Sequence, residues 1–247
     1  MLTKRQEKLL NIIIDNYIKT AEPVSSKALV KSGPFSLSSA TIRHEMSALE
    51  KAGYLTHLHT SSGRVPTGKA YRLYVDNLMA DPGIYVPEPT KRKIHKAIAD
   101  ASNDPEELNR VVANIVSVLS DNIVVTNVKD SDNFYKTGLS SLFEFPEFRE
   151  FDRVFNVASV FDHFEKMFGQ IENEFFGINN NEITILIGAE SQIKNMKKEA
   201  VILVRYPLPN RKTGSMTIIG PMRMDYEKNI GLARCVIDEF NNKFKNI

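Results

Sequence analysis

The chain has 247 residues, 42% of them hydrophobic and 25% charged, with a formal net charge of +2, an ordinary balance for one large or two modest globular domains. A single cysteine, Cys235, excludes a disulfide framework and a cysteine-rich metal site, and fits a reducing cytoplasm. The charged start MLTKRQEKLL reads as an amphipathic helix rather than a signal peptide, and no apolar run approaches the roughly 20 residues that span a bilayer.

From the N-terminus, Thr3 is placed to cap a first helix whose apolar stripe is Leu9, Leu10, Ile13, Ile14 and Tyr17. Pro23 forces Glu22 out of the helical region and ends that segment. Ser25 or Ser26 caps a short second helix through Lys31 that buries Ala28 and Leu29, and residues 32–36 form a turn. Ser38 then caps a third helix. Its Ile42, Met46 and Leu49 make one apolar face. The opposite face carries Ala40, Thr41, His44, Ser47 and Lys51, with Arg43 at its edge. Gly53 supplies the left-handed stop.

Residues 54–58 read as a short strand and His59 to Pro66 as a polar loop. Three helices, a strand and a basic loop follow the order of a winged helix-turn-helix. Thr67 caps a further helix, Gly68 to Met79, partly apolar through Tyr71, Leu73, Tyr74 and Leu78. Charge agrees with this division. Residues 1–80 hold 11 Lys+Arg against 6 Asp+Glu, whereas residues 81–247 hold 21 against 24. A module that grips phosphates needs such an excess.

Pro and Gly breakers mark 81–90 as a linker. Helical patterns follow over about 90–101 and 105–120, then a strand over 122–128, a loop over 130–136 and a short apolar stretch over 138–148. Residues 147–173 look helical, with Phe151, Phe155, Val160, Phe164 and Phe168 as core. Strands are expected at 183–187, 200–206 and 216–219, and a terminal helix at Tyr226 to Phe244. This half is α+β with a mostly antiparallel sheet.

The candidate site residues lie in the first half. Ser39, Thr41, Arg43, His44 and Ser47 present hydrogen-bonding groups from the third helix, where base contacts would specify and phosphate contacts would position. Ser25 and Ser26 sit at a helix N-terminus, which suits either a cap or a phosphate. His59, Ser61, Ser62 and Arg64 belong to the wing, where an arginine can enter a narrow minor groove. His57 and His59 have no Cys or acidic companion that would make a metal site, so neither metal nor cofactor is expected. An enzyme using Glu190, His163 or Cys235 finds no supporting nucleophile–base spacing, phosphate loop or metal cluster.

These residues resemble HrcA, the bacterial heat-inducible transcription repressor family. The likeness runs through Glu22 to Ser26, Ser39 to Arg43, Met46, Leu49-Glu50, and His59 to Asp76. It resumes at Gly138-Leu139-Ser140, Pro146-Glu147-Phe148, Ile187 to Glu190 and Ile219 to Tyr226. His44 stands where the family pattern has Asn, and Ser62 where it has Ala; the stretch before Gly138 is much shorter than the family's.

The resemblance implies a winged helix-turn-helix domain over 1–80, the linker over 81–90, and a GAF-like domain over 91–247 with a reduced dimerising insertion. It also implies a homodimer on an inverted-repeat DNA operator of chaperone operons, release on heat stress, and dependence on the GroE chaperonin. The alternative is a metabolite-responsive winged-helix regulator whose GAF-like half binds a ligand.

Overall fold

Capping chemistry decides where the first helices begin. In the computed structural model, which describes residues 2–32, 38–57, 63–162, 164–165, 182–191 and 196–244, Thr3 and Gln6 form a reciprocal capping box at the start of α1 (Lys4–Thr20). Ser25 Oγ accepts the Ala28 N–H at 3.2 Å and so caps α2 (Ser26–Ser32). Ser38 Oγ accepts the Thr41 N–H at 3.1 Å and opens α3 (Ser39–Lys51). Gly53, with φ of +80°, ends it. Thr67 caps α4 (Gly68–Ala80) and donates to the Gly53 carbonyl at 2.7 Å.

The chain divides into two units. The first comprises Met1–Asp81 with Met222–Met224. Its core joins Leu9, Leu10, Ile13 and Ile14 of α1 to Leu29, Ile42, Met46, Leu49, Tyr71 and Val75, all nearly solvent-free. Tyr17, Leu73 and Leu78 are only half-buried, and Ala28, expected inside, is exposed. The short α2 has one inward face, and Leu29 occupies it. Two short strands, β1 (Leu55–Thr56) and β2 (Val65–Pro66), pair antiparallel with Thr56 opposite Val65. A bridge between Val24 and Arg64 ties their base to the segment before α2. Arg223 donates to the Ile18 carbonyl at 2.8 Å.

The second unit, Pro82–Pro221 with Asp225–Ile247, begins with an irregular stretch that is nonetheless seated. Ile84 is buried, and its carbonyl accepts from Arg234 at 3.4 Å. Then follow α5 (Glu88–Asp100), α6 (Pro105–Ser120), β3 (Ile123–Val128), β4 (Phe134–Thr137), α7 (Phe151–Asp162), β5 (Ile183–Ile187), β6 (Glu199–Pro207), β7 (Thr213–Pro221) and α8 (Tyr226–Phe244). The strands form one antiparallel sheet in the order β4-β3-β7-β6-β5. Val201 lies opposite Ile219, which in turn lies opposite Ile123.

Ile123, Val125, Val201, Leu203 and Ile219 share one sheet face and pack with Phe148, Val157, Val160 and Phe164. From the other face, Thr126 donates to the Asn109 carbonyl of α6 at 3.1 Å, and Tyr206 stacks on Phe240 of α8. A sheet covered on both sides explains why β6 reads as a nearly continuous apolar run and why β3 and β7 are buried along nearly their whole length.

Two expectations fail in this unit. Residues 134–136, read as part of a loop over 130–136, fall in edge strand β4. Phe151 and Phe155, read as core, are 79% and 63% exposed and stack on each other. The cause is Arg153, whose guanidinium donates to the buried Glu199 carboxylate at 3.1 Å and to the Lys198 carbonyl at 3.0 Å. That anchorage turns the 153–157–160–164 stripe of the helix toward the sheet and sends 151 and 155 outward. Phe168 lies outside the described residues.

Candidate nucleic-acid interface

The third helix is amphipathic in an unusual sense, because both of its faces carry charge but only one face is neutralised. On the inner side, Ile42, Met46 and Leu49 are sealed in the core, and beside them lies Glu45, only 6% exposed. A buried carboxylate is costly without partners. Glu45 has two, both from the first turn of α1: an ion pair with Arg5 and a hydrogen bond from Gln6 Nε2 at 3.0 Å. These contacts fix the rotation of α3 about its axis, and so fix which residues face out.

Facing out are Ala40, Arg43 and His44, all exposed, with Thr41 and Ser47 half-buried. Neither Arg43 nor His44 has a hydrogen-bond or ion-pair partner among the described residues. An unpaired guanidinium keeps its full fork for a guanine edge or a phosphate. Ser39, in the first turn, is half-buried, and its Oγ lies 3.2 Å from Ser26 Oγ, so these two candidates bind each other and pin α2 to α3. Ser25, exposed, is engaged as a cap. Thr41 also reaches Ser38, Oγ1 to Oγ at 3.0 Å. At the far end of the helix, Lys69 Nζ donates to the Ala52 carbonyl at 2.9 Å, a cation at the negative pole of the helix.

The wing residues divide. His59, Ser61 and Ser62 lie outside the described residues. Arg64 sits at the foot of β2, where its backbone is paired with Val24. Its Nε donates to Glu50 Oε2 at 2.9 Å, and His57 Nδ1 meets Glu50 Oε1 at 2.5 Å. Burial, the largest single influence on Glu50, raises its carboxyl pKa, but the hydrogen bonds and charges of His57 and Arg64 together carry it below the ordinary value.

Gly63 adds a steric reason for this foot. A Cβ there would lie 2.6 Å from the Val24 backbone. Neither Glu45 nor Glu50 is among the candidate site residues, since a lone glutamate on a helix shows no such role until its distant partners are known.

The residues considered for catalysis have other occupations. Glu190 accepts the Ile187 N–H at 2.9 Å, a local cap. Burial, with Glu239 nearby, pushes the Cys235 thiol up to about 11, which suppresses the thiolate. His163 lies outside the described residues. Among the described residues no group of three or more His, Cys, Asp or Glu is placed to hold a metal ion, and no helix is long and apolar enough to cross a membrane.

The chain is 26% identical to the heat-inducible transcription repressor HrcA of Clostridium tetani, over 99% of this chain and 96% of that protein. It is 27% identical to the same-named protein of Clostridium acetobutylicum, over 98% and 97%. The first alignment runs over 344 residues against the 247 of this chain, so nearly a hundred aligned positions fall opposite gaps. A crystal structure of a protein described only as hypothetical shares the fold, with a TM-score of 0.81 at 20% identity, over 100% of this chain and 99% of the other. The profile of the HrcA protein C-terminal domain matches residues 88–230, more than half of the chain, and the chain therefore belongs to the HrcA family.

Proposed function

We propose that the protein is a heat-inducible transcription repressor and not an enzyme, working on duplex DNA in the cytoplasm. Residues 1–80 act as a winged helix-turn-helix domain, with α3 in the major groove and Ser39, Thr41, Arg43, His44 and Ser47 at the bases and phosphates. The wing, with His59, Ser61, Ser62 and Arg64, lies along the neighbouring backbone. Ser25 and Ser26 order the N-terminal end of this surface.

Residues 91–247 act as a GAF-like domain with a reduced dimerising insertion. It holds two copies over an inverted-repeat operator upstream of chaperone operons, with half-sites about a helical turn or more apart. Heat releases the operator by loosening a marginally stable fold, and the GroE chaperonin restores the active form. The observation that carries this reading is the outer face of α3, where Arg43 is exposed and has no hydrogen-bond or ion-pair partner among the described residues, whereas Arg5 and Arg64 are held by Glu45 and Glu50.

The test is fluorescence anisotropy with a duplex from the protein's own upstream region against a random duplex. Arg43→Ala is expected to weaken the specific complex by about 1–3 kcal/mol and the random one much less. Equal affinity of the wild type for both duplexes, or no effect of the substitution, rejects the reading.

A further inference from the structure

Glu50 lies in the last turn of α3, and the two side chains it binds come from either side of residues 58–62. His57 follows β1 and Arg64 precedes β2. Each arm uses its inner nitrogen: Nδ1 of His57 to one carboxylate oxygen, Nε of Arg64 to the other. That choice leaves the outer nitrogens over. An arginine has five N–H donors, and a bond through Nε leaves the four on the two terminal nitrogens. Those of Arg64 have no partner among the described residues, although 26% of the side chain is exposed. The backbone beneath is fixed by the Val24–Arg64 pair, with N–H to carbonyl distances of 2.9 and 2.8 Å.

A guanidinium held by Nε with a bare terminal fork is preorganised for a two-pronged contact with a phosphate. We propose that Glu50 is a positioning residue for DNA binding: it aims Arg64 at a backbone phosphate beside the wing, and His57 braces the carboxylate from the opposite foot. This rests on residues 1–80 being the DNA-binding part.

The proposal opposes simple electrostatics in sign. A carboxylate near DNA repels phosphates, so deleting it should tighten binding unless the carboxylate organises a cation that matters more.

The experiment measures duplex affinity as a function of salt for the full-length protein and for Glu50→Ala, Arg64→Ala, the double variant and His57→Ala. Glu50→Ala and Arg64→Ala are each expected to lower affinity for operator and random duplex alike, by about tenfold. Each should also flatten the dependence of log affinity on log salt by about 0.9, one phosphate's worth. The double variant should lose little more than either single one, because both remove the same contact. His57→Ala should lose about threefold, as a brace and not a contact.

A loss of fold alone would lower affinity without a one-charge change in slope. Glu50→Gln, which keeps the size but offers one carbonyl oxygen to two donors, serves if the alanine variant does not fold; it too should weaken binding. Unchanged or tighter binding by Glu50→Ala or Glu50→Gln overturns the proposal. If the wild type binds no duplex at all, the parent reading fails. If the wild type binds and Arg43→Ala loses specificity while the Glu50 and Arg64 variants behave as wild type, only the positioning role fails.

Discussion

The two units treat charge in opposite ways. In the first, Arg5 pairs with Glu45 and Arg64 binds Glu50 through Nε, while Arg43 and His44 on the outer side of α3 are exposed and have no partner among the described residues. In the second, the sheet is buried on both faces, and two polar groups on it are paired within the unit: Tyr206 donates to Asn109 at 2.7 Å, and Glu199 holds Arg153. The first unit leaves charge on one helix face without a partner among the described residues, and the second ties these groups to partners within itself. The difference lies in which groups are left over once the fold has formed. Total charge does not reveal it.

Substitutions sharpen this contrast in order of expected effect. Leu203→Ala empties a fully buried site on β6 and is expected to cost about 3 kcal/mol, read as a lowered urea midpoint. Ser38→Ala removes the cap of α3 in the open unit and should cost about 1 kcal/mol, with a matching fall in duplex affinity if α3 carries the contact. Phe151→Ala should cost less than about 0.5 kcal/mol, since that ring is 79% exposed. A loss as large as that of the buried Phe148→Ala would show that this face is covered.

The smallest effect concerns acid. The folded state holds the Glu50 carboxyl below its ordinary value of 4.5, so its contribution is complete above that range and is lost as pH falls through the lowered folded value. Thermal melts of Glu50→Gln should therefore lose part of the wild type's decline below about pH 4.5, and identical acid limbs would remove Glu50 from the account.

Where the information is local, the sequence is a sound guide. Thr3, Ser38 and Thr67 begin helices and Gly53 ends one, because each acts on backbone groups within four residues. The apolar run of β6 announces a strand covered on both faces. The short segment of β4 did not stand out, since its four residues are all half-buried at a sheet edge and carry no clear alternation. Helix α7 offered two apolar stripes, and nothing near it in sequence says which turns inward; Glu199, 46 positions from Arg153, makes that choice.

The amino-acid order by itself determined the helix starts, the strand cores, the division of charge between the two halves and the family to which the chain belongs. Tertiary structure alone decided which arginine nitrogens are paired and which remain open. That outcome depends on carboxylates 40 and 14 positions away, for Arg5 and Arg64, coming within bonding distance. Ion pairing falls off over a few ångströms and takes no account of sequence separation, so it becomes visible only when the chain has folded.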